Sequence, residues 1–207
     1  MSERKNADKR KPASEAVTLI PRNFFQRDVF LDGLPERHEY EQFFWNRDTV
    51  ERLIKACEYQ FTEETCCLTT PSLAHEWHAR GRDEVLLDID TRFDYLPKFR
   101  YYDVRDPHAL PDSKFRLLII DPPFFAVPIE QFRVAVDVLT NKDYDTRILL
   151  AFLRREEGRL LSAFKDYDLR VTNCALEYAS IKPNKWKNFA LYSNVDLPGI
   201  KRVHTHT

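Results

Sequence analysis

Four consecutive residues could bind and orient an amine that reacts: Asp121, Pro122, Pro123 and Phe124, which follow the apolar run 115–120. The Asp121 carboxylate and the Pro122 carbonyl could each accept one N–H of an amine on an aromatic ring, and proline stiffens the turn without adding a donor. Such an amine is a poor nucleophile because its lone pair is delocalised, so holding both N–H groups favours its methylation. Phe124 could stack on a flipped base. An ordinary turn is the competing interpretation, because Asp and Pro are common in turns.

The loop after the first predicted strand is a candidate cofactor site, because parallel strands of an α/β sheet bind ligands beyond their carboxyl ends. We expect four residues of this loop to contact a cofactor: Thr69, Thr70, Pro71 and Ser72. The loop contains no glycine, unlike the usual nucleotide-binding loop. Its hydroxyls, and the N–H groups of the helix that follows, could still receive a carboxylate.

Acidic residues stand at the ends of the next two predicted strands. Asp88 and Asp90 lie on the same side of the run 84–89, and we favour Asp90 as the acceptor of ribose hydroxyls because it lies nearer the strand end. Asp103 could accept a hydrogen bond from an adenine amino group. Each acid alone is more often a cap or a solvated loop residue. Acids at successive strand ends, followed by the motif 121–124, favour one shared site.

Strands and helices alternate along the chain, which predicts an α/β fold with a mostly parallel sheet and helices on both faces. Asp48 is expected to cap a helix on which four apolar residues share one stripe: Val50, Leu53, Ile54 and Cys57. Ser72 is expected to cap the next helix. Residues 169–178 and 189–193 are predicted to form a terminal antiparallel hairpin.

Composition narrows the class of protein. The 207 residues carry a net charge of -1, so nucleic-acid binding would need a local basic patch. The four cysteines (Cys57, Cys66, Cys67 and Cys174) form no CxxC and have no histidine at zinc spacing, so we predict no metal site. No apolar stretch reaches 18 residues and the start is charged, which predicts neither a membrane span nor a secretory signal. We expect an intracellular protein of the nucleus or cytoplasm.

Three segments are predicted along the chain. Residues 1–16 read as a disordered basic tail, which could be an import signal, an electrostatic arm toward nucleic acid or a solvated terminus. Residues 17–39 are predicted to form an irregular arm, and residues 40–207 the catalytic domain. A second basic stretch lies late in the domain and includes an aromatic residue. It could bind phosphates and stack on a base, or be a solvated loop: Lys182, Asn184, Lys185, Trp186, Lys187 and Asn188.

From about residue 40 to 194 the chain resembles the eukaryotic probable N6-adenine methyltransferase family of class I S-adenosylmethionine-dependent enzymes. The matching segments are Gln42-Phe43-Phe44-Trp45, Thr70-Pro71-Ser72-Leu73, Asp90-Thr91-Arg92-Phe93, Tyr101-Tyr102-Asp103, Asp121-Pro122-Pro123-Phe124 and Asn188-Phe189-Ala190-Leu191-Tyr192-Ser193-Asn194. The resemblance implies a Rossmann-like, seven-stranded methyltransferase fold and explains the missing glycines, because this family has a Pro-Ser loop there. Phe44 and Trp45 could then cover the cofactor like a lid, and Arg92 and Phe93 could contact its adenosine.

The family that the chain resembles divides in function. Some members methylate lysine on the elongation factor that delivers aminoacyl-tRNA, and others methylate adenine N6 in ribosomal RNA with fused zinc modules. Similar proteins have been proposed to methylate adenine in DNA. The run 85–93 and Phe124 are more similar to the ribosomal RNA branch, although this chain lacks the zinc ligands. The leading hypothesis is adenine-N6 methylation of RNA or DNA, the second is protein-lysine methylation, and the third is a non-catalytic adaptor.

Overall fold

The structure is a computed structural model that describes residues 34–203. The predicted tail and most of the predicted arm lie outside the described residues, as do His204 and His206. At the start of the described part, Leu34 packs against the core and a 3-10 turn covers His38–Tyr40.

Seven strands form one sheet in the order β3-β2-β1-β4-β5-β7-β6. The five strands from β3 to β5 in this order are parallel, and β7 runs antiparallel to both of its neighbours. This arrangement confirms the predicted seven-stranded, mostly parallel sheet with an antiparallel C-terminal pair. The strands are β1 (Thr65–Leu68), β2 (Val85–Asp88), β3 (Phe99–Tyr101), β4 (Leu117–Ile120), β5 (Arg147–Leu153), β6 (Arg170–Val171) and β7 (Phe189–Ser193).

Helices cover both faces of this sheet. They are α1 (Arg47–Glu58), α2 (Pro71–Ala79), α3 (Ile129–Thr140), α4 (Glu157–Ala163) and the single turn α5 (Pro183–Trp186). Leu53 of α1 and Trp77 of α2 pack on one face, whereas Phe132 of α3 and Leu160 of α4 pack on the other. Every residue of β1 and β4 is buried, as expected for parallel strands that are covered on both sides.

The two predicted helix caps are wrong. Asn46 caps α1, because its side-chain oxygen accepts a hydrogen bond from the Thr49 N–H at 3.0 Å. Asp48 therefore lies in the first turn, where its charge still favours the helix dipole. Helix α2 begins at Pro71, which needs no N–H partner at that position. Ser72 consequently lies inside the first turn.

The predicted terminal hairpin is shorter than expected. Only Arg170–Val171 pair with β7, whereas the chain beyond them leaves the sheet edge and Tyr178 forms a backbone bridge with Trp45. The Asn46 N–H donates to the Glu177 carbonyl at 2.9 Å, which fixes this crossing. The segment between Tyr178 and β7 contains the basic residues and forms α5 instead of an open loop. In the described part of the chain, no helix is long and apolar enough to cross a bilayer.

Candidate active site

A cavity of about 260 Å³ lies beyond the carboxyl ends of β1, β2 and β4. The strand order reverses between β1 and β4, which is where open α/β sheets bind ligands. Eleven of the predicted catalytic and cofactor-binding residues line this one cavity: Phe44, Trp45, Thr69, Thr70, Pro71, Ser72, Asp103, Asp121, Pro122, Pro123 and Phe124. Asp90, Arg92 and Phe93 do not line it, and neither do the predicted residues of the basic loop (residues 182–188).

Asp121 begins the motif 121–124 at the end of β4. Its Oδ1 accepts a hydrogen bond from the Tyr178 hydroxyl at 3.0 Å, whereas Oδ2 accepts none from the described residues. Burial raises the pKa of Asp121 well above its usual range, and the Tyr178 hydrogen bond offsets part of this effect. The Asp121 backbone carbonyl accepts from the Thr69 hydroxyl at 2.9 Å. The carboxyl group is therefore held in place with one oxygen available to a ligand.

The carbonyls of the motif differ in whether they are already bonded. The Asp121 carbonyl is taken by Thr69, and the Pro123 carbonyl accepts the Val127 N–H at 3.4 Å. The Pro122 carbonyl between them accepts no hydrogen bond from the described residues. This leaves two acceptors, Asp121 Oδ2 and the Pro122 carbonyl, at one end of the cavity lining.

Phe124 is half-buried and packs within an aromatic group. Its ring centroid lies 5.3 Å from that of Phe189 and 6.0 Å from that of Phe152, and Phe189 lies 4.8 Å from Tyr178. The ring is therefore fixed by β5 and β7 while it also lines the cavity. Whether it stacks on a base stays a prediction.

The loop after β1 is strained. Thr69 has a φ of 58°, in the left-handed region that favours glycine. Its hydroxyl lies 2.9 Å from the Asp121 carbonyl and 2.6 Å from the Leu68 carbonyl, so the side chain ties this loop to the motif 121–124. A threonine thus occupies a glycine-like conformation because its hydroxyl has a partner there.

Asp88, and not Asp90, lines the cavity at the end of β2. Burial raises the pKa of Asp88 to about 7, although the N–H of Asp90 donates to its carboxylate at 2.9 Å and lowers it. The Asp90 side chain is turned into a cluster, where Arg92 donates to it at 2.6 Å and Gln42 at 3.1 Å. Asp90 therefore holds Arg92 and Gln42 with its side chain and Asp88 with its backbone N–H, without lining the cavity.

Asp103 lines the cavity beyond β3 but already has a partner. Arg105 donates to both of its carboxylate oxygens, at 2.9 and 2.7 Å, and this hydrogen bonding lowers the pKa of Asp103. Arg105 also lines the cavity. A ligand amino group would therefore share Asp103 with Arg105.

Residues 39–45 line the cavity, and we call them the lid segment because Phe44 and Trp45 are predicted to cover the cofactor. Glu41 ties it to the far side of the motif, because its Oε2 accepts the N–H groups of Phe125 at 2.8 Å and Ala126 at 2.9 Å. Phe44 and Trp45 are buried within this segment. The lid and the motif are thus joined by one carboxylate.

The basic loop leaves from the site and returns to it. It begins after Tyr178, which bonds Asp121, and ends at Phe189, which contacts Phe124. Lys182, Asn184, Lys185, Lys187 and Asn188 are exposed. Trp186 is half-buried and its indole N–H donates to the Ile181 carbonyl at 2.9 Å. The loop therefore borders the motif without lining the cavity.

Sequence reasoning missed several residues at this site. No local signal marks Tyr178, because it lies 57 positions from Asp121. Glu41 directly precedes the recognised segment 42–45, but nothing in the sequence shows its partner. Arg105 also lines the cavity, and its pairing with Asp103 was not predicted. Among the described residues, no group of three or more His, Cys, Asp or Glu side chains could hold a metal ion.

Comparison with known proteins gives one family. The family model described as probable N6-adenine methyltransferase matches residues 36–197. No curated protein matches the chain.

Several solved structures are similar to this chain at low identity. A Thermoplasma acidophilum protein has a TM-score of 0.48 and 16% identity over 81% of this chain and 97% of its own. The E. cuniculi Mtq2–Trm112 complex, which methylates the termination factor eRF1, gives 0.44 and 14% over 73% of this chain and 97% of the other. The Pyrococcus abyssi tRNA (uracil-54, C5)-methyltransferase with S-adenosyl-L-homocysteine gives 0.45 and 16% over 73% and 39%.

Proposed function

The chain belongs to the probable N6-adenine methyltransferase family and is an S-adenosylmethionine-dependent methyltransferase, and from this premise we propose that it methylates the N6 amine of adenine in RNA or DNA. The main support is one observation. The motif 121–124, which can hold an aromatic amine, and the strand-end acids, which can hold a nucleoside, line the same cavity.

The lining of the cavity suits S-adenosylmethionine, which supplies an activated methyl group on a sulfonium. Five carboxyl groups line it: Glu39, Glu41, Asp88, Asp103 and Asp121. Arg105 is the one basic lining residue in the described part of the chain, and it is paired with Asp103. Such a lining favours a ligand that bears positive charge. Asp88 would accept from the ribose hydroxyls, Asp103 from the adenine amine, and the N–H groups at the start of α2 would receive the carboxylate.

The acceptors left over on the motif match an amine with two N–H groups. Asp121 Oδ2 would accept one N–H and the Pro122 carbonyl the other, which directs the nitrogen lone pair away from both. Tyr178 fixes the carboxyl group, and Thr69 fixes the backbone next to it. Catalysis by these residues is positioning and electrostatics in a partly buried site. Because burial disfavours the charged form, an ionised Asp121 gains more from an N–H donor than an exposed carboxylate does.

The decisive experiment determines which class of molecule receives a labelled methyl group. The protein is incubated with methyl-labelled S-adenosylmethionine and, separately, with RNA, DNA and total protein, and nucleosides are then analysed by mass spectrometry for N6-methyladenine. We expect label in nucleic acid, and its loss in Asp121→Asn, which keeps the shape of the side chain but not its charge. Label in protein lysine alone would replace this proposal by protein-lysine methylation, and no label in any fraction would favour the adaptor hypothesis.

A further inference from the structure

One large apolar side chain lies exposed beside the motif 121–124. Phe125 directly follows the motif, and 68% of its surface is exposed. The backbone on which it stands is fixed, because the N–H groups of Phe125 and Ala126 both donate to Glu41. The ring therefore stands on a fixed backbone directly after residues that line the cavity, where a bound ligand can reach it.

One arginine after β5 contacts this ring, and the arginine before it adjoins the basic loop. The Arg155 guanidinium lies 5.6 Å from the ring centroid of Phe125, and the Arg154 N–H donates to the Asn188 carbonyl at 2.9 Å. The second contact places the exposed Arg154 beside the basic loop and its lysines. Arg155 forms an exposed ion pair with its neighbour Glu156, at 3.7 Å. Arg155 and, through Arg154, the lysines of the basic loop therefore bring positive charge to this end of β5.

Trp186 does not fit the same role. Its indole N–H is used by the Ile181 carbonyl and its ring packs against the hydrophobic core. It holds the loop in shape. Phe125 is the better stacking surface because it is exposed and lies next to Phe124, which lines the cavity.

We propose that Phe125, Arg154 and Arg155 form the surface that receives a single strand of nucleic acid next to the methylated base. This inference rests on the proposed function. A neighbouring base would stack on Phe125, and the two arginines would bind the flanking phosphates together with the lysines of the basic loop. We assign a nucleic acid as the ligand of this surface, because aromatic and guanidinium groups together bind stacked bases and phosphates.

Binding of a fluorescein-labelled single-stranded RNA of about 12 nucleotides, a length that matches one such binding site, tests the surface by anisotropy. We expect Phe125→Ala to weaken binding by about 5- to 150-fold, the equivalent of about 1–3 kcal/mol per stacked base. Phe125→Tyr should restore it because the ring remains. The double variant Arg154→Ala/Arg155→Ala should lower the salt slope by about 0.7 for each lost phosphate contact. Calorimetric affinity for S-adenosylhomocysteine should stay unchanged in all three.

Matched controls lie away from the site. Tyr59→Ala removes a ring that is 80% exposed after α1, and Lys55→Ala/Lys98→Ala removes two exposed charges. The surface is refuted if wild type binds RNA and methylates adenine while the Phe125 and arginine variants bind within twofold of these controls. If wild type neither binds nor labels any nucleic acid, or labels protein alone, the proposed function itself fails and this inference fails with it.

Discussion

At the scale of single residues, Asp121 combines function with a cost in stability. Its carboxyl group is partly buried and has one hydrogen-bond donor among the described residues, Tyr178. Burial raises its pKa, so ionisation destabilises the folded state once the pH exceeds the unfolded value of about 3.9. The penalty is absent below that pH and grows as the pH rises toward the folded pKa.

Asp121→Asn should therefore raise the melting temperature while abolishing methyl transfer. Asparagine keeps an oxygen for Tyr178 but does not ionise. The difference in melting temperature between this variant and wild type should grow from about pH 4 to pH 7 and reach a few degrees. Calorimetric affinity for S-adenosylhomocysteine should stay near wild type, because Asp121 is proposed to contact the acceptor amine. Asp112→Asn, at an exposed acid, is the control. An advantage that shrank as pH rose would contradict this assignment.

Asp88 should make cofactor affinity depend on pH. Burial raises its pKa to about 7, so the free protein changes from the acid to the carboxylate near neutrality. Ribose hydroxyls donate to the carboxylate more strongly than to the acid. Affinity for S-adenosylhomocysteine should therefore increase with pH below about 7, by at most about tenfold per unit, and level off above it. Calorimetry between pH 6 and 8 measures this increase.

The matched variant is Asp88→Asn, which should bind more weakly and lose the rise attributed to Asp88. Asp90→Ala separates the two acids. If Asp90 supports the site from behind, its variant weakens binding through Arg92 and Gln42 but keeps the pH dependence. If Asp90→Ala lost binding and the wild-type affinity for S-adenosylhomocysteine did not change with pH, Asp90 and not Asp88 would be the residue that binds the ribose.

At the scale of elements, the lid segment is joined to the motif by Glu41 alone among the side-chain hydrogen bonds of the described residues. Glu41→Ala should release both backbone N–H groups, so the KM for S-adenosylmethionine should rise by about tenfold, as expected for the loss of charge-assisted bonds worth about 1.5–3 kcal/mol. The KM of Glu41→Gln should lie between those of wild type and Glu41→Ala, because the glutamine amide oxygen still accepts both hydrogen bonds. Steady-state kinetics measures this series.

The control for Glu41 is Glu63→Ala, which removes an exposed acid from the loop before β1. An unchanged KM in Glu41→Ala, with a normal melting temperature, would show that the lid is held by its packing alone.

The sequence predicted the elements that depend on local patterns. Strands β1 and β4 were predicted as short runs that follow turn signals, and all four residues of each are buried in the structure. Helix α1 was predicted because its apolar stripe has helical spacing. The cap of α1 was missed because Asn46 and Asp48 are both good caps, and the choice depends on where the chain enters the helix. The cap of α2 was missed because the helix begins at Pro71, one residue before Ser72. Asp90 was preferred over Asp88 because it lies nearer the strand end, but the direction of its side chain depends on partners such as Arg92 that the sequence does not reveal. Contacts such as Tyr178 with Asp121 have no local signature.

At the scale of the whole molecule, charge is unevenly distributed along the chain. The net charge is -1, and the tail of residues 1–16 holds five Lys or Arg against three Asp or Glu. The remainder is therefore more acidic than the whole, and its cavity is lined with carboxyl groups. Affinity for phosphates must come from local clusters of cations.

The basic loop is one such cluster. Replacing Lys182, Lys185 and Lys187 by alanine should weaken single-stranded RNA binding and flatten its salt dependence by about 0.7 for each lost contact. Affinity for S-adenosylhomocysteine should not change, since these side chains do not line the cavity. Anisotropy titrations over a salt series measure the slope, with Lys55→Ala/Lys98→Ala as the control. A salt slope equal to that of the control would exclude the loop from the binding surface.

The tail is the second cluster, and its removal tests whether the chain reaches nucleic acid beyond its active site. Deleting residues 1–16 removes a net positive charge, so it should lower the association rate and the affinity for RNA at low salt more than at high salt. The melting temperature and the cofactor affinity should stay unchanged if the tail contributes no core packing. Scanning calorimetry and stopped-flow binding measure these quantities side by side. Equal RNA affinity with and without the tail at low salt would leave an import signal or a solvated terminus as its remaining predicted interpretations.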